Sequence, residues 1–227
     1  MLQIKLWKWR NMEHIIDSMP FNWVLLLTIV GEFLLPCILK YFYKGYDAKK
    51  IVMSALGSPE SPVRKVYNIW LIWLGIFLSF TSILYFIKAR EVSMILAILQ
   101  LISILTFAIG AGILSGLFSV NESKDVVTVA SKIHGAGAAI GFMTLLFFPL
   151  LSAILAFKMG DIVCGIVCVV AFVLAIIFFA FFIMGDKEEF KETVFVNEGL
   201  WERATLLCIY HLCTIVWIKF LVSYFRR

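Results

Sequence analysis

The stretch NEGLWERATLLCIYHLC, residues 197–213, sets Glu202 and Arg203 at the mouth of a hydrophobic helix. His211 follows about two and a half turns further in. A carboxylate can take or direct a proton, and a guanidinium can hold an anion through its planar donor fork. An imidazole titrates near neutral pH. Groups of the same kind recur upstream. His134 stands in SKIHGAGAAIGF, and the turn-rich stretch SALGSPESPVRKVYN carries Ser54, Arg64 and Asn68. Glu32 is the acidic residue within the first long apolar run.

Two groupings follow. Ser54, Arg64, Asn68 and Arg203 are candidate substrate-binding residues, with His134, Glu202 and Arg203 as candidate catalytic residues. In that reading His134 acts as acid or base, Arg203 holds an anion, and Glu202 orients one of them. The bland alternatives are interfacial hydrogen bonding for His134 and snorkelling of the arginines to lipid headgroups. Glu32 and His211 form the second grouping, as deep intramembrane polar residues. Each lies about ten residues from the same end of its helix, roughly 15 Å deep. Equal depth permits a Glu–His pair and leaves open a backbone-bonded Glu32 beside a satisfied core His211.

Several familiar chemistries are missing from the chain. It has no Gly-x-Ser-x-Gly elbow, no His-Glu-x-x-His, no Walker loop and no Gly-x-Gly-x-x-Gly. No metal site is predicted, because Cys164 and Cys168 stand one helical turn apart in an apolar run without His or Asp beside them. His134 and His211 differ in depth by roughly 9 Å, a poor match for the two sides of one haem. No cofactor is assigned. No basic-aromatic pattern suited to nucleic acid occurs.

The elements that must position these residues are membrane helices. Of 227 residues 62% are hydrophobic and only 15% charged, and the mean hydropathy is +0.97. A soluble domain of this length needs far more polar surface. Apolar runs at 21–43, 66–88, 92–118, 131–157, 160–184 and 201–224 each suffice for a bilayer that takes roughly 20 helical residues. Residues 1–20, where Lys5, Lys8 and Arg10 alternate with Trp7, Trp9 and leucines, read as an interfacial amphipathic segment. The expected fold is therefore all-α: a six-span bundle over 21–227 with an N-terminal interfacial helix. Tight turns join the second span to the third and the fourth to the fifth. The longer loops 44–65, 119–130 and 185–200 then share the opposite face, where a site has most material to draw on. Lys and Arg are nearly balanced between the two faces, so orientation stays open. The small-residue spacings Ala108-x3-Gly112-x3-Gly116 and Gly137-x3-Gly141 predict close helix packing. Pro36 and Pro149 predict kinks.

Three blocks carry a resemblance: SALGSPESPVRKVYNIWLIWLGIF, GILSGLFSVNESKDVVTVASKIHGAGAAIGF and NEGLWERATLLCIYHLC. Their order and spacing resemble the bacterial and archaeal membrane proteins grouped as domain of unknown function nine-nine-eight. The positions that carry it are Ser54, Leu56, Gly57, Pro62, Asn68, His134, Gly199, Leu200 and Arg203. The chain departs from the family pattern at Phe118-Ser119, where a Phe-Pro turn is common, and at Glu202, where Gln is common. His211 matches no element of it. The resemblance implies a six-span bundle in a prokaryotic cytoplasmic membrane, implies no activity, and singles out residues of the long-loop face.

The expectation for function is binding or processing of a lipid or lipid-linked anionic substrate in a polar pocket at that face. The alternatives are a proton-coupled small-solute transporter using Glu32 and His211, or a non-catalytic subunit of a larger membrane complex. Membrane lipids, an amphiphilic small molecule or another membrane protein are the corresponding partners.

Overall fold

The computed structural model describes residues 15–121 and 127–210. Among the described residues every regular element is helical and no strand occurs. Five helices are long and apolar enough to cross a membrane: Met19–Phe42, Arg64–Ala89, Met94–Leu117, Val129–Lys158 and Ile162–Gly185. The chain is a helical membrane protein. In the labels used below, α1 is Met19–Leu39, α2 Arg64–Ala89, α3 Met94–Phe107, α4 Val129–Leu145, α5 Phe148–Lys158 and α6 Ile162–Gly185. A further helix, α7, covers 198–210. The remainder of the expected sixth span, with His211, and the expected interfacial segment up to residue 14 lie outside the described residues.

Local chemistry accounts for most boundaries. Ser18 caps α1 by accepting from the Phe21 N–H at 3.4 Å, and Pro20 occupies the first turn, where its missing N–H costs nothing. Thr128 and Ser131 form a reciprocal capping box at the start of α4. Pro149 acts as expected: α4 stops at Leu145, and α5 restarts with Pro149 in its first turn. Pro36, by contrast, lies inside the continuous helix α1. The α5–α6 turn closes on Gly160, at φ +76° in the left-handed region that glycine tolerates. There the Asp161 N–H bonds back to Ala156 O at 2.9 Å, and the Asp161 side chain caps α6 through the Cys164 N–H. Ser61-Pro62 has the pattern of an N-cap followed by a first helical residue, but Ser61 makes a turn, accepting from the Val63 N–H at 3.3 Å, and α2 begins at Arg64.

The two faces of the bundle separate as loop length predicts. On the tight-turn face, Lys88 at the end of α2 pairs with Asp17 just before α1. On the other face the loops touch one another: Arg64 reaches Ser119, Leu200 N–H donates to Lys49 O, and Gly185 packs on Phe195.

Helices α2, the continuation of α3 and α4 meet through backbone. Residues Ala108–Leu114 form a π-helical segment, followed by a last turn at Ser115–Leu117. The Ser115 hydroxyl donates to the Gly110 carbonyl at 3.1 Å, occupying an acceptor within the widened turn. A Cβ at Gly110 would lie 2.2 Å from Gly137 O, and one at Gly75 would lie 2.4 Å from Ala108 O. Lipid tails are as apolar as leucine, so association inside a bilayer depends on this kind of close contact. Gly75→Ala is expected to lower the thermal unfolding midpoint in detergent, with an overpacking cost of about 1–3 kcal/mol. Gly135→Ala, whose Cβ meets nothing within 4 Å, should be tolerated or gain up to about 1 kcal/mol of helix propensity.

Candidate functional site

Arg203 organises the loop face by donating to its own protein. Its Nη1 bonds Ala48 O at 2.7 Å, Gly199 O at 2.6 Å and Ile51 O at 3.5 Å, and its Nη2 bonds the Tyr46 hydroxyl at 2.8 Å. Tyr46 passes the contact on, within hydrogen-bond reach of Val52 O at 3.1 Å and Ile51 O at 3.3 Å. Gly199 lets the loop approach, since a Cβ there would fall 2.2 Å from Ile51 O. Leu200 N–H donates to Lys49 O at 2.8 Å, and Glu202 Oε2 accepts from the Met53 N–H at 2.7 Å. The run Gly199-Leu200-x-x-Arg203 is therefore a fitting that holds residues 46–53 over the end of α7. Unpaired backbone groups this close to hydrocarbon are costly, and α7 satisfies them.

A second network ties α2 to the end of α3. Asn68 Nδ2 donates to Ser119 Oγ at 3.3 Å and reaches Gly57 O at 3.5 Å, while Arg64 Nε donates to the same Ser119 Oγ at 3.2 Å. His134, 5% exposed, donates from Nδ1 to Phe118 O at 2.9 Å. A carbonyl can only accept, so this bond places the proton on Nδ1 and makes Nε2 the basic nitrogen.

Beneath the 46–57 loop lies a cavity of about 480 Å³. The helices around it contribute helical stripes, among them Tyr67, Leu71 and Leu74 from α2; Phe107, Ala111 and Ser115 from the end of α3 and its continuation; His134, Ala138 and Phe142 from α4; Phe179 and Phe182 from α6 with Asp186 just past its end; and Glu198, Glu202 and Leu206 from α7. Those spacings of three and four are the ones that keep residues on one helix face. Val52, Met53 and Ser54 form the loop side. Glu32 adds a carboxyl from α1, 3% exposed, with Oε2 accepting from Trp70 Nε1 at 2.9 Å.

The sequence candidates thus divide. Ser54, His134, Glu202 and Glu32 line the cavity. Among the described residues Arg64, Asn68 and Arg203 belong to the loop-holding networks and do not line it. His211 lies outside the described residues. Tyr46, Tyr67 and Trp70 escaped the sequence reading. The stripe Tyr67–Leu71–Leu74 was the signal available for one of them, whereas the Tyr46–Arg203 and Trp70–Glu32 bonds have no sequence signature. Among the described residues no group of three His, Cys, Asp or Glu side chains is placed to hold a metal.

Burial pushes the Tyr46 phenol up from 10.0 to about 12, against the lowering effect of Arg203. A phenol whose folded value is raised stays protonated after the unfolded chain has begun to ionise. Its contribution is complete below pH 10 and is lost between 10 and about 12. Protease cleavage within residues 46–53 is expected to accelerate over that window in the wild type, with no such step in Tyr46→Phe. Arg203→Lys, which loses the planar fork, should expose the same loop already at neutral pH.

Neither curated proteins nor solved structures give a match to this chain. The family described as protein of unknown function (DUF998) matches residues 26–219, which span every described helix except the first turns of α1, the loop-holding networks and the cavity. The chain belongs to that family.

Proposed function

We propose that this membrane protein binds an amphiphile, a lipid or lipid-linked molecule, in the cavity beneath the 46–57 loop. The observation that carries the reading is the cavity itself. Its volume of about 480 Å³ suits a small organic ligand, and leucine, phenylalanine and alanine stripes make up most of its wall. Polar groups gather where the loop and the mouth of α7 meet it: Ser54, His134, Glu198 and Glu202. An apolar body with a polar head matches that distribution.

The head is not matched to the arginines. Arg203 is committed to loop carbonyls and Tyr46, and Arg64, bonded through Nε to Ser119, does not line the cavity, so neither guanidinium is placed to hold an anionic head there. A second reading, processing of the bound molecule, is favoured by one observation. His134 lines the cavity with Nδ1–H held by Phe118 O, which leaves Nε2 as a base.

Ala111→Phe, which fills the cavity from α3, is expected to deplete the co-purifying amphiphile identified by mass spectrometry of the solubilised protein. Ile69→Phe, at a position 68% exposed on the outer face of α2, should leave it in place. Identical molecules retained by both variants would remove the cavity as the binding place. In the processing reading His134→Ala keeps the bound molecule and abolishes its conversion.

A further inference from the structure

We infer that the head accepted by this cavity is a cation: an ammonium-bearing amphiphile, with Glu32 and Glu202 as its counter-charges. The inference rests on the amphiphile-binding reading and adds the charge of the head to it. Of the carboxyl residues that line the cavity, Glu32 and Glu202 are the buried ones, and among the described residues no Lys or Arg lines it. Glu32 is 3% exposed and Glu202 6% exposed, yet each uses only one carboxyl oxygen on the protein. Oε2 of Glu32 accepts from Trp70, and Oε2 of Glu202 accepts from the Met53 N–H. The second oxygen of each has no hydrogen-bond partner among the described residues, and neither is sealed away as a buried orphan. Since both side chains line the cavity, that is where the remaining oxygens are accessible.

The nearby guanidinium does not supply the missing partner. Arg203 donates to Ala48 O, Gly199 O, Ile51 O and Tyr46 Oη, and forms no ion pair with Glu202. Arg203 therefore acts on the two carboxyls through space alone, and a bound ammonium supplies the direct charge-assisted hydrogen bonds that their remaining oxygens lack. Aromatic rings complete the setting. Tyr67, Phe107 and Phe142 share the wall, and ring faces attract a desolvated ammonium.

The test uses the full chain in a nonionic maltoside detergent and measures saturable binding of chain-matched probes by calorimetry: tetradecylamine, tetradecanol and tetradecanoic acid, with hexylamine as a water-soluble amine. Tetradecylamine is expected to bind at least about tenfold more tightly than the alcohol or the acid, the factor expected from one lost charge-assisted bond. Glu202→Gln and Glu32→Gln, which keep an acceptor oxygen for Met53 and Trp70, should each weaken the amine by about tenfold and leave the alcohol unchanged. Hexylamine binding as tightly as tetradecylamine would keep the cation but remove the lipid chain, overturning the amphiphile. Equal binding of amine and alcohol, or preference for the acid, overturns the cationic head and leaves the amphiphile-binding reading standing. Saturable binding by none of the four overturns both. A variant with a lowered unfolding midpoint is replaced in the comparison by the other, since the two carboxyls sit on different helices.

Discussion

The seat of the 46–53 loop depends on one guanidinium satisfying the carbonyls of a segment distant in sequence. Arg203 joins Ala48, Ile51 and Tyr46 to the first turns of α7, and Glu202 beside it takes the Met53 N–H. Adjacent helical residues diverge by about 100°, so neighbouring side chains serve different directions. Arg203 points to the backbone that must be held, and Glu202 spends one oxygen on that backbone and keeps a second at the cavity wall. The fork, the Glu202–Met53 bond and the Tyr46–Val52 bond together keep Val52, Met53 and Ser54 over the cavity they line.

Close packing frames the cavity. Gly75, Gly110 and Gly137 bring α2, the continuation of α3 and α4 into backbone contact, with no room for a single methyl group between them. Gly141 extends that contact to the level of Phe107, where a Cβ would lie 3.0 Å from Phe107 Cα. The rings of Phe107 and Phe142 meet edge-on at 5.3 Å and form part of the cavity wall.

The family motifs gain a physical meaning from this arrangement. Gly199, Leu200 and Arg203 hold the loop; Gly57 and Asn68 bring α2 against it; His134 is tied to the end of α3. From the sequence these positions read as parts of a pocket for an anion, and a guanidinium at a membrane face is a reasonable anion ligand. A carbonyl of the same chain uses the same donors, however, and residue type alone does not separate the two partners. Ser54, His134, Glu202 and Glu32 did reach the cavity wall, because polar residues in membrane helices turn toward enclosed space.

Hydropathy, helix length and loop length are local properties that add along the chain. The sequence by itself therefore determined that this is a helical membrane protein, that Pro149 breaks its helix, and that the three long loops gather on one face. Which side chains share a cavity depends on the rotation of each helix about its axis and on where glycines let backbones touch. Those are properties of pairs of helices far apart in sequence. Only the tertiary structure decided that Arg203 faces the loop while Glu202 faces the cavity, and that Trp70 rather than an arginine meets Glu32.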